Sequence, residues 1–278
     1  MTVRGIFLWF VALAVTAGGL LAFQKPFREY PGQEYNDFPV PPDFAERTEF
    51  VFARMMYPDG YGAFGFGFRR RGVDWREGYT NWTNDYPRSD RHLMVALRRL
   101  TRIHNRSAEQ PVNLEDGGDV FNYPFLYMVR AGLAQLTEEQ SGKLREYLAR
   151  GGFLIADDIW GDREFDNFRQ TIERVLPNRP VVEVEDKDAA FHTVYDLDHR
   201  YQISGQWSLG SGIPYLNGGV VPHWRAIYDD KKRLQVAIWV NNDTGDSWEW
   251  ADDPEYPERY SALGIRLAVN YVVYSMTH

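Results

Sequence analysis

The chain has no cysteine among its 278 residues. Without a thiol it cannot form a disulfide, a zinc–cysteine site or an iron–sulfur cluster, and it has neither a cysteine nucleophile nor a cysteine for lipid attachment. Basic residues are also in the minority, with 31 Lys and Arg against 39 Asp and Glu and a formal net charge of −8. Because binding to a nucleic-acid backbone requires a concentrated cationic surface, we expect no nucleic-acid partner.

Charged side chains are also missing from residues 5–23, which form an apolar run of 19 residues close to the N-terminus. At about 1.5 Å per residue a helix of this length spans roughly 28 Å, close to the thickness of a bilayer's hydrocarbon core. The run predicts that residues 1–23 are either an uncleaved membrane anchor or a signal peptide. Both alternatives place the rest of the chain outside the cytoplasm, in the periplasm or cell envelope, and an uncleaved anchor makes the membrane a partner.

Two further segments are identified by proline and glycine. Residues 24–48 contain five prolines and predict a linker or an extended arm. Residues 60–72 contain five glycines among aromatic side chains and favour a lid or a partner-binding loop. Residues 49–278 are then expected to form one domain.

Within this domain, short apolar runs alternate with helical patterns. Strands are expected at 50–57, 125–129 and 153–156, and helices after Ser89 or Asp90, after a capping box at Thr137 and Gln140, and before Pro177. Such alternation is typical of an α/β fold with a mostly parallel sheet covered on both faces. A hairpin turning at Asp229 and a packed C-terminal helix over residues 260–276 complete the prediction.

Two carboxylates, Asp157 and Asp158, follow the predicted strand at 153–156. Ligands of open α/β sheets bind beyond the carboxyl ends of the strands, so this pair lies where a site is expected. Because adjacent residues of a strand point to opposite faces, we expect one carboxylate to face a cleft and the other to cap the next helix near Asp162. Loop geometry alone would equally explain both.

A second cluster, residues 191–199, holds two histidines and two aspartates. His192 in this cluster could act as a general acid or base, or could help to ligate a metal. The spacing matches no known metal signature.

Residues 241–258 form a third cluster, with seven acidic residues, no basic one, two Trp and a Tyr. Carboxylate oxygens suit calcium or magnesium, and aromatic faces beside carboxylates suit sugar rings. We therefore expect Asp243 and Asp246 to be metal ligands, which makes a divalent cation the candidate cofactor. The alternative is a solvated acidic loop held down by its aromatic residues.

Several motifs in order resemble the uncharacterised bacterial DUF4159 family. They include Trp82-Thr83-Asn84-Asp85-Tyr86-Pro87, Phe121-Asn122-Tyr123-Pro124 and Gly245-Asp246-Ser247-Trp248-Glu249, together with segments at 52–54, 90–93, 144–154, 191–197, 228–230 and 270–271. The resemblance covers about residues 49–278. It implies a flavodoxin-like, class I glutamine amidotransferase-like three-layer sandwich. In active amidotransferases a nucleophilic cysteine stands near the position of Asp157 or Asp158, so thiol-based amide transfer does not carry over to this chain.

Two functions remain open. The favoured one is a non-catalytic envelope module that binds a carbohydrate, peptide or protein partner in the former catalytic cleft. The alternative is a hydrolase of a glycan or amide, acting with or without a divalent metal, in which the catalytic residues Asp158 and His192 converge with Asp246. The residues expected to bind a ligand are Asp85, Tyr123, Asp157, Trp160, Trp248 and Asp252.

Overall fold

One seven-stranded sheet organises the computed structural model, which describes residues 25–35, 37–59 and 74–278. The apolar run at 5–23 and the glycine-rich segment at 60–72 lie outside the described residues. The strands are β1 (Ala53–Met56), β2 (Gln110–Asn113), β3 (Phe125–Met128), β4 (Phe153–Ile159), β5 (Val182–Glu183), β6 (His223–Tyr228) and β7 (Leu234–Val240). Their order across the sheet is β2-β1-β3-β4-β7-β6-β5.

The pairing of these strands confirms the predicted α/β class. Strands β2, β1, β3, β4 and β7 are parallel to one another, and β6 runs antiparallel to both of its neighbours, β7 and β5. The parallel part has the strand order of flavodoxin-like, doubly wound sheets. The finer likeness to amidotransferase-like domains stays a prediction. Strands β3, β4 and β7 are buried along their whole length, as expected of apolar runs covered on both faces.

Helices cover both faces of the sheet. They are α1 (Arg88–Leu100), α2 (Glu138–Ala149), α3 (Gly161–Val175), α4 (Gln206–Gly210), α5 (Thr244–Glu249) and α6 (Glu258–Thr277). Short 3-10 turns lie at Trp75–Glu77, Asn81–Thr83, Asp119–Asn122, Ala131–Leu133 and Ala189–Phe191. Helices α1, α5 and α6 pack on the face that carries Phe52 and Tyr127, and α2 and α3 on the face that carries Leu154. The domain is therefore a three-layer sandwich.

Helix boundaries test the local predictions. The capping box is present at α2, where Gln140 N donates to Thr137 Oγ1 (3.1 Å) and Thr137 N donates to Gln140 Oε1 (3.0 Å). Helix α1 begins earlier than predicted, at Arg88, so Ser89 and Asp90 lie in its first turn and do not cap it. Both accept hydrogen bonds from the buried Arg54 of β1. The two residues predicted to cap the helix therefore bind Arg54 instead, Asp90 as an ion pair and Ser89 as a hydrogen-bond acceptor. No local sequence pattern shows this long-range contact.

The C-terminal half follows the sequence closely. Strands β6 and β7 form the expected hairpin, in which Asp229 Oδ1 accepts from Lys231 N and Arg233 N, each at 2.8 Å. The terminal apolar stretch is α6, packed in the core. Across the described ranges, none of the helices has the length and apolar character needed to span a bilayer.

The proline-rich segment runs along the domain without forming an α-helix or a strand in its described part. Arg91 holds it by donating to the carbonyls of Phe38 (2.9 Å) and Pro39 (2.8 Å) and by pairing with Glu29 (2.7 Å). The segment is thus a docked arm, and it carries Glu34 to the carboxyl edge of the sheet.

Candidate functional site

A cluster of buried acids lies beyond the carboxyl ends of the parallel strands. Two members lie within the last three residues of β4, three lie after β7 and on α5, and one precedes α1; they are Asp157, Asp158, Asp243, Asp246, Glu249 and Asp85. Each is at most 9% exposed. Carboxylates avoid such burial unless they are paired or bind a metal, so the concentration itself is informative.

Three of these acids converge on one point. Asp85, Asp243 and Asp246 each offer an oxygen, and the three oxygens lie within 4.8 Å of one another. Backbone contacts fix two of the side chains: Asp246 N donates to Asp243 Oδ1 (3.1 Å), and Gln206 N donates to Asp246 Oδ2 (2.6 Å). Asp85 Oδ2 is fully buried and has no hydrogen-bond donor among the described residues. We call this group the carboxylate triad.

Glycines let the backbone approach the carboxylate triad closely. A Cβ atom on Gly245 would lie 2.2 Å from Asp85 Oδ2, and one on Gly205 would lie 2.4 Å from Asp243 Oδ2. Any larger residue at either position would displace a carboxylate. The two glycines are therefore part of the construction of the site.

A second group of acids adjoins the carboxylate triad through Asp85. Oxygens of Glu34, Asp85 and Glu249 also lie within 4.8 Å of one another. Glu249 could have been inferred from the sequence, since it follows Asp246 by three positions on one helix face. Glu34 could not, because no pattern in the proline-rich arm points to it.

Asp157 has a different environment from the triad. Its Oδ2 accepts three hydrogen bonds, from Tyr127 Oη (2.8 Å), Thr244 N (3.1 Å) and Gly245 N (3.0 Å). It therefore binds the N-terminus of α5, where free N–H groups and the helix dipole favour a carboxylate. Asp157 positions the helix that carries Asp246.

Asp158 lies at an irregularity of β4 and has a left-handed backbone, with φ +54°. Its Oδ1 accepts from Trp160 Nε1 (2.5 Å), and its Oδ2 lies 3.6 Å from Arg130 Nε. The prediction that Asp157 or Asp158 caps the following helix is wrong. The N-cap of α3 is Trp160, whose backbone N donates to Glu164 Oε2 (3.0 Å).

The raised pKa values of these acids show that few positive charges lie near the cluster. Burial, reinforced by the charge of Asp246, raises the pKa of Asp85 and of Asp243 well above the usual range. Burial likewise raises the pKa of Asp246 and of Asp157 to about 7. Arg54 moderates this only partly, because its guanidinium already pairs with Asp90. A bound cation would compensate the negative charge of the ionised acids and lower their pKa.

Not all of the predicted site residues join the cluster. His192 does not: its ring nitrogens contact Asp196 Oδ1 (3.0 Å) and Asp186 O (2.7 Å). Its segment is tied through Asp188 to Tyr228, at the edge of the sheet where β7 begins. The expected convergence of Asp158, His192 and Asp246 is therefore absent.

Tyr123 also lies outside the cluster of buried acids. It precedes β3, at the amino ends of the parallel strands, and is buried in the core there. Asp252 is exposed and pairs with Arg88 (2.7 Å). Trp248 belongs to the core, its ring 5.1 Å from that of Tyr127. Of the residues predicted to bind a ligand, the structure places Asp85, Asp157 and Trp160 in the cluster, together with the predicted metal ligands Asp243 and Asp246.

Comparison with known proteins supports the resemblance read from the motifs. A family model described as "Domain of unknown function (DUF4159)" matches residues 73–276, which include Asp85 and all the cluster residues of β4 and α5. No curated protein matches the chain.

Proposed function

The chain belongs to the DUF4159 family, and we propose that it is an exported ligand-binding α/β module that holds a divalent cation in the carboxylate triad of Asp85, Asp243 and Asp246. The proposed location outside the cytoplasm rests on the apolar run at residues 5–23. The proposed cation rests on the geometry of the carboxylate triad.

One observation carries the proposal: Asp85 Oδ2 is buried, has no hydrogen-bond donor in the part of the chain that the structure describes, and lies beside two other buried carboxylates. An isolated buried carboxylate is costly, and a bound cation removes that cost for all three groups at once. Oxygen ligands without sulfur or imidazole suit the hard ions Ca²⁺, Mg²⁺ and Mn²⁺.

The positions of the other acids favour binding over hydrolysis. A hydrolase acting through Asp158 and His192 needs the two side chains together, and His192 contacts Asp186 and Asp196 instead. Asp157, the other carboxylate after β4, is occupied by Tyr127 and the N-terminus of α5. These acids hold structure around the triad, which supports a binding module.

Thermal unfolding of the purified full chain tests the proposal. After treatment with a chelator, addition of Ca²⁺, Mg²⁺ or Mn²⁺ should raise the unfolding midpoint, because a ligand that binds only the folded state stabilises it by about 2.7 kcal/mol at a hundredfold excess over its Kd. Asp85→Asn should abolish this rise. The same substitution should stabilise the metal-free chain, since Asn is neutral at this buried position without taking up the proton that burial forces on Asp85.

Asp166→Asn is the matched control, because Asp166 is an exposed acid on α3 that pairs only weakly, at 3.4 Å, with Arg169. This variant should keep the full response to the cation. The proposal fails if none of the three ions shifts the midpoint of the unsubstituted chain, or if Asp85→Asn responds as strongly.

A further inference from the structure

A second feature at the same edge of the sheet is a long stretch without charge. Residues 201–222 contain no Asp, Glu, Lys, Arg or His, although 25% of the chain is Asp, Glu, Lys or Arg. They do contain two Tyr and one Trp. We call this stretch the uncharged segment.

The uncharged segment exposes its apolar side chains. Among the described residues, four large apolar side chains are more than half exposed, and all four lie in this segment: Trp207 (58%), Ile213 (53%), Val220 (56%) and Val221 (59%). Single exposed apolar residues are ordinary, but four within fifteen positions are typical of an interaction surface.

Hydrogen bonds fix the uncharged segment at the carboxyl edge of the sheet. Gln206 N donates to Asp246 Oδ2, and Asn241 Nδ2, just beyond β7, donates to Val221 O (2.7 Å). Gln202 Nε2 donates to Gly219 O (2.8 Å) and to Asn241 O (2.9 Å). The exposed side chains are therefore carried on a backbone that is anchored to the domain.

The described chain begins at this same edge. Lys25 N donates to Asp119 Oδ1 (3.0 Å), and Lys25 Nζ pairs with Asp116 (2.5 Å). Asp116 N in turn donates to the carbonyl of Asn113 at the end of β2 (3.0 Å). The apolar run at residues 5–23 joins the domain only two residues earlier. A membrane anchor attached at Lys25 would keep the carboxyl edge beside the bilayer.

We propose that the uncharged segment rests on the lipid bilayer, so that the carboxyl edge of the sheet faces the membrane. Burial of Trp207, Ile213, Val220 and Val221 in the interfacial layer would contribute the transfer free energy of their apolar surface. Trp and Tyr side chains favour that layer. A segment without charged side chains enters it without the free-energy cost of moving a charge out of water. This inference rests on the proposed membrane anchor at residues 5–23 and does not depend on the cation site.

The absence of cysteine permits a direct test by site-specific labelling. Val220→Cys is made in the full chain, inserted into phosphatidylcholine nanodiscs and labelled with an environment-sensitive fluorophore. The emission should shift to the blue. An aqueous quencher should act several-fold less on this label than on the same label in a full chain that an amphipathic polymer keeps in solution without lipid.

Val194→Cys is the matched control, because Val194 is an exposed valine (46%) in the His192 segment, away from the carboxyl edge. Its label should remain in water and be quenched equally in both preparations. Ile213→Cys provides a second reporter in the uncharged segment in case Val220→Cys does not fold. Equal quenching at positions 220, 213 and 194 in nanodiscs contradicts the proposal, as does a full chain that does not remain with the nanodisc. Because a nanodisc carries a scaffold protein at its rim, the same protection in phosphatidylcholine vesicles that contain only this chain would exclude the scaffold protein as its cause.

Discussion

At the scale of single residues, the carboxyl edge combines buried acids with left-handed backbone conformations. Asp85 (φ +59°), Asp158 (φ +54°) and Asn241 (φ +59°) all have left-handed backbones there. Such conformations cost free energy, and they are concentrated at functional sites, where surrounding structure enforces them. Together with the buried acids, they support the proposal that this edge binds a ligand.

The buried acids predict an unusual dependence of stability on pH. In the folded, metal-free chain the pKa of Asp157 and of Asp246 is raised from 3.8 to about 7. Between these values the folded chain holds protons that the unfolded chain has lost, so the free energy of unfolding should fall as pH rises from about 4 to about 7. The slope is at most about 1.4 kcal/mol per pH unit for each carboxyl group.

Urea unfolding of the chelator-treated chain across this pH range measures the slope. A saturating divalent cation should reduce the slope, because the bound ion keeps Asp246 ionised in the folded state, whereas Asp157 lies outside the carboxylate triad and keeps its contribution. Stability of the metal-free chain that rises with pH over the same range would contradict the assignment of these acids.

At the scale of elements, the site depends on how α5 approaches β4. Asp157 accepts from the first N–H groups of α5, while Gly245 in the same turn faces Asp85 Oδ2 and Tyr127 Oη. The helix can enter this position only because residue 245 has no side chain. One turn of α5 thus joins the strand carboxylate to the carboxylate triad.

Gly245→Ala should therefore damage the site. Its Cβ would lie 2.2 Å from Asp85 Oδ2 and 2.9 Å from Tyr127 Oη, so a carboxylate or the helix must move. We expect destabilisation of about 1–3 kcal/mol from overpacking, together with loss of the cation-induced rise in unfolding midpoint. Calorimetry with and without Ca²⁺ measures both effects.

Gly142→Ala on α2 is the matched control, since apart from the backbone of its own helix no atom of the described residues lies within 4 Å of its added Cβ. It should stabilise the chain by about 0.5–1 kcal/mol through helix propensity and leave the cation response unchanged. If Gly245→Ala is as stable and as responsive as Gly142→Ala, the close packing of α5 against Asp85 is wrong.

Prediction from sequence succeeded where the determining contacts are local. The capping box of α2 joins residues three positions apart, and the hairpin turn at Asp229 joins residues two to four positions apart. It failed where the partner is distant along the chain. The contact between Asp157 and Thr244 spans 87 positions, and the ion pair of Arg54 with Asp90 spans 36. No local pattern shows that these residues meet, so both were assigned to capping.

At the scale of the whole molecule, the strand order makes the site. Because β1, β3, β4 and β7 are parallel, their carboxyl ends share one edge, and the segments that carry Asp85, Asp157 and Asp243 meet there. The sequence predicted the parallel sheet and the acids after β4 and β7, since both follow from apolar runs and their endings. It did not predict that the docked arm adds Glu34, because the path of an irregular segment is set by contacts with Arg91 and other distant residues.

The central claim is that Asp85, Asp243 and Asp246 bind one divalent cation. Crystals of the protein soaked in Mn²⁺ test it most directly, because anomalous scattering locates that ion without reference to the rest of the structure. We predict a single strong anomalous peak within about 2.0–2.4 Å of an oxygen from each of the three aspartates, the range of metal–oxygen bonds. Mn²⁺ bound only elsewhere, or no anomalous peak at the carboxylate triad, would contradict the account.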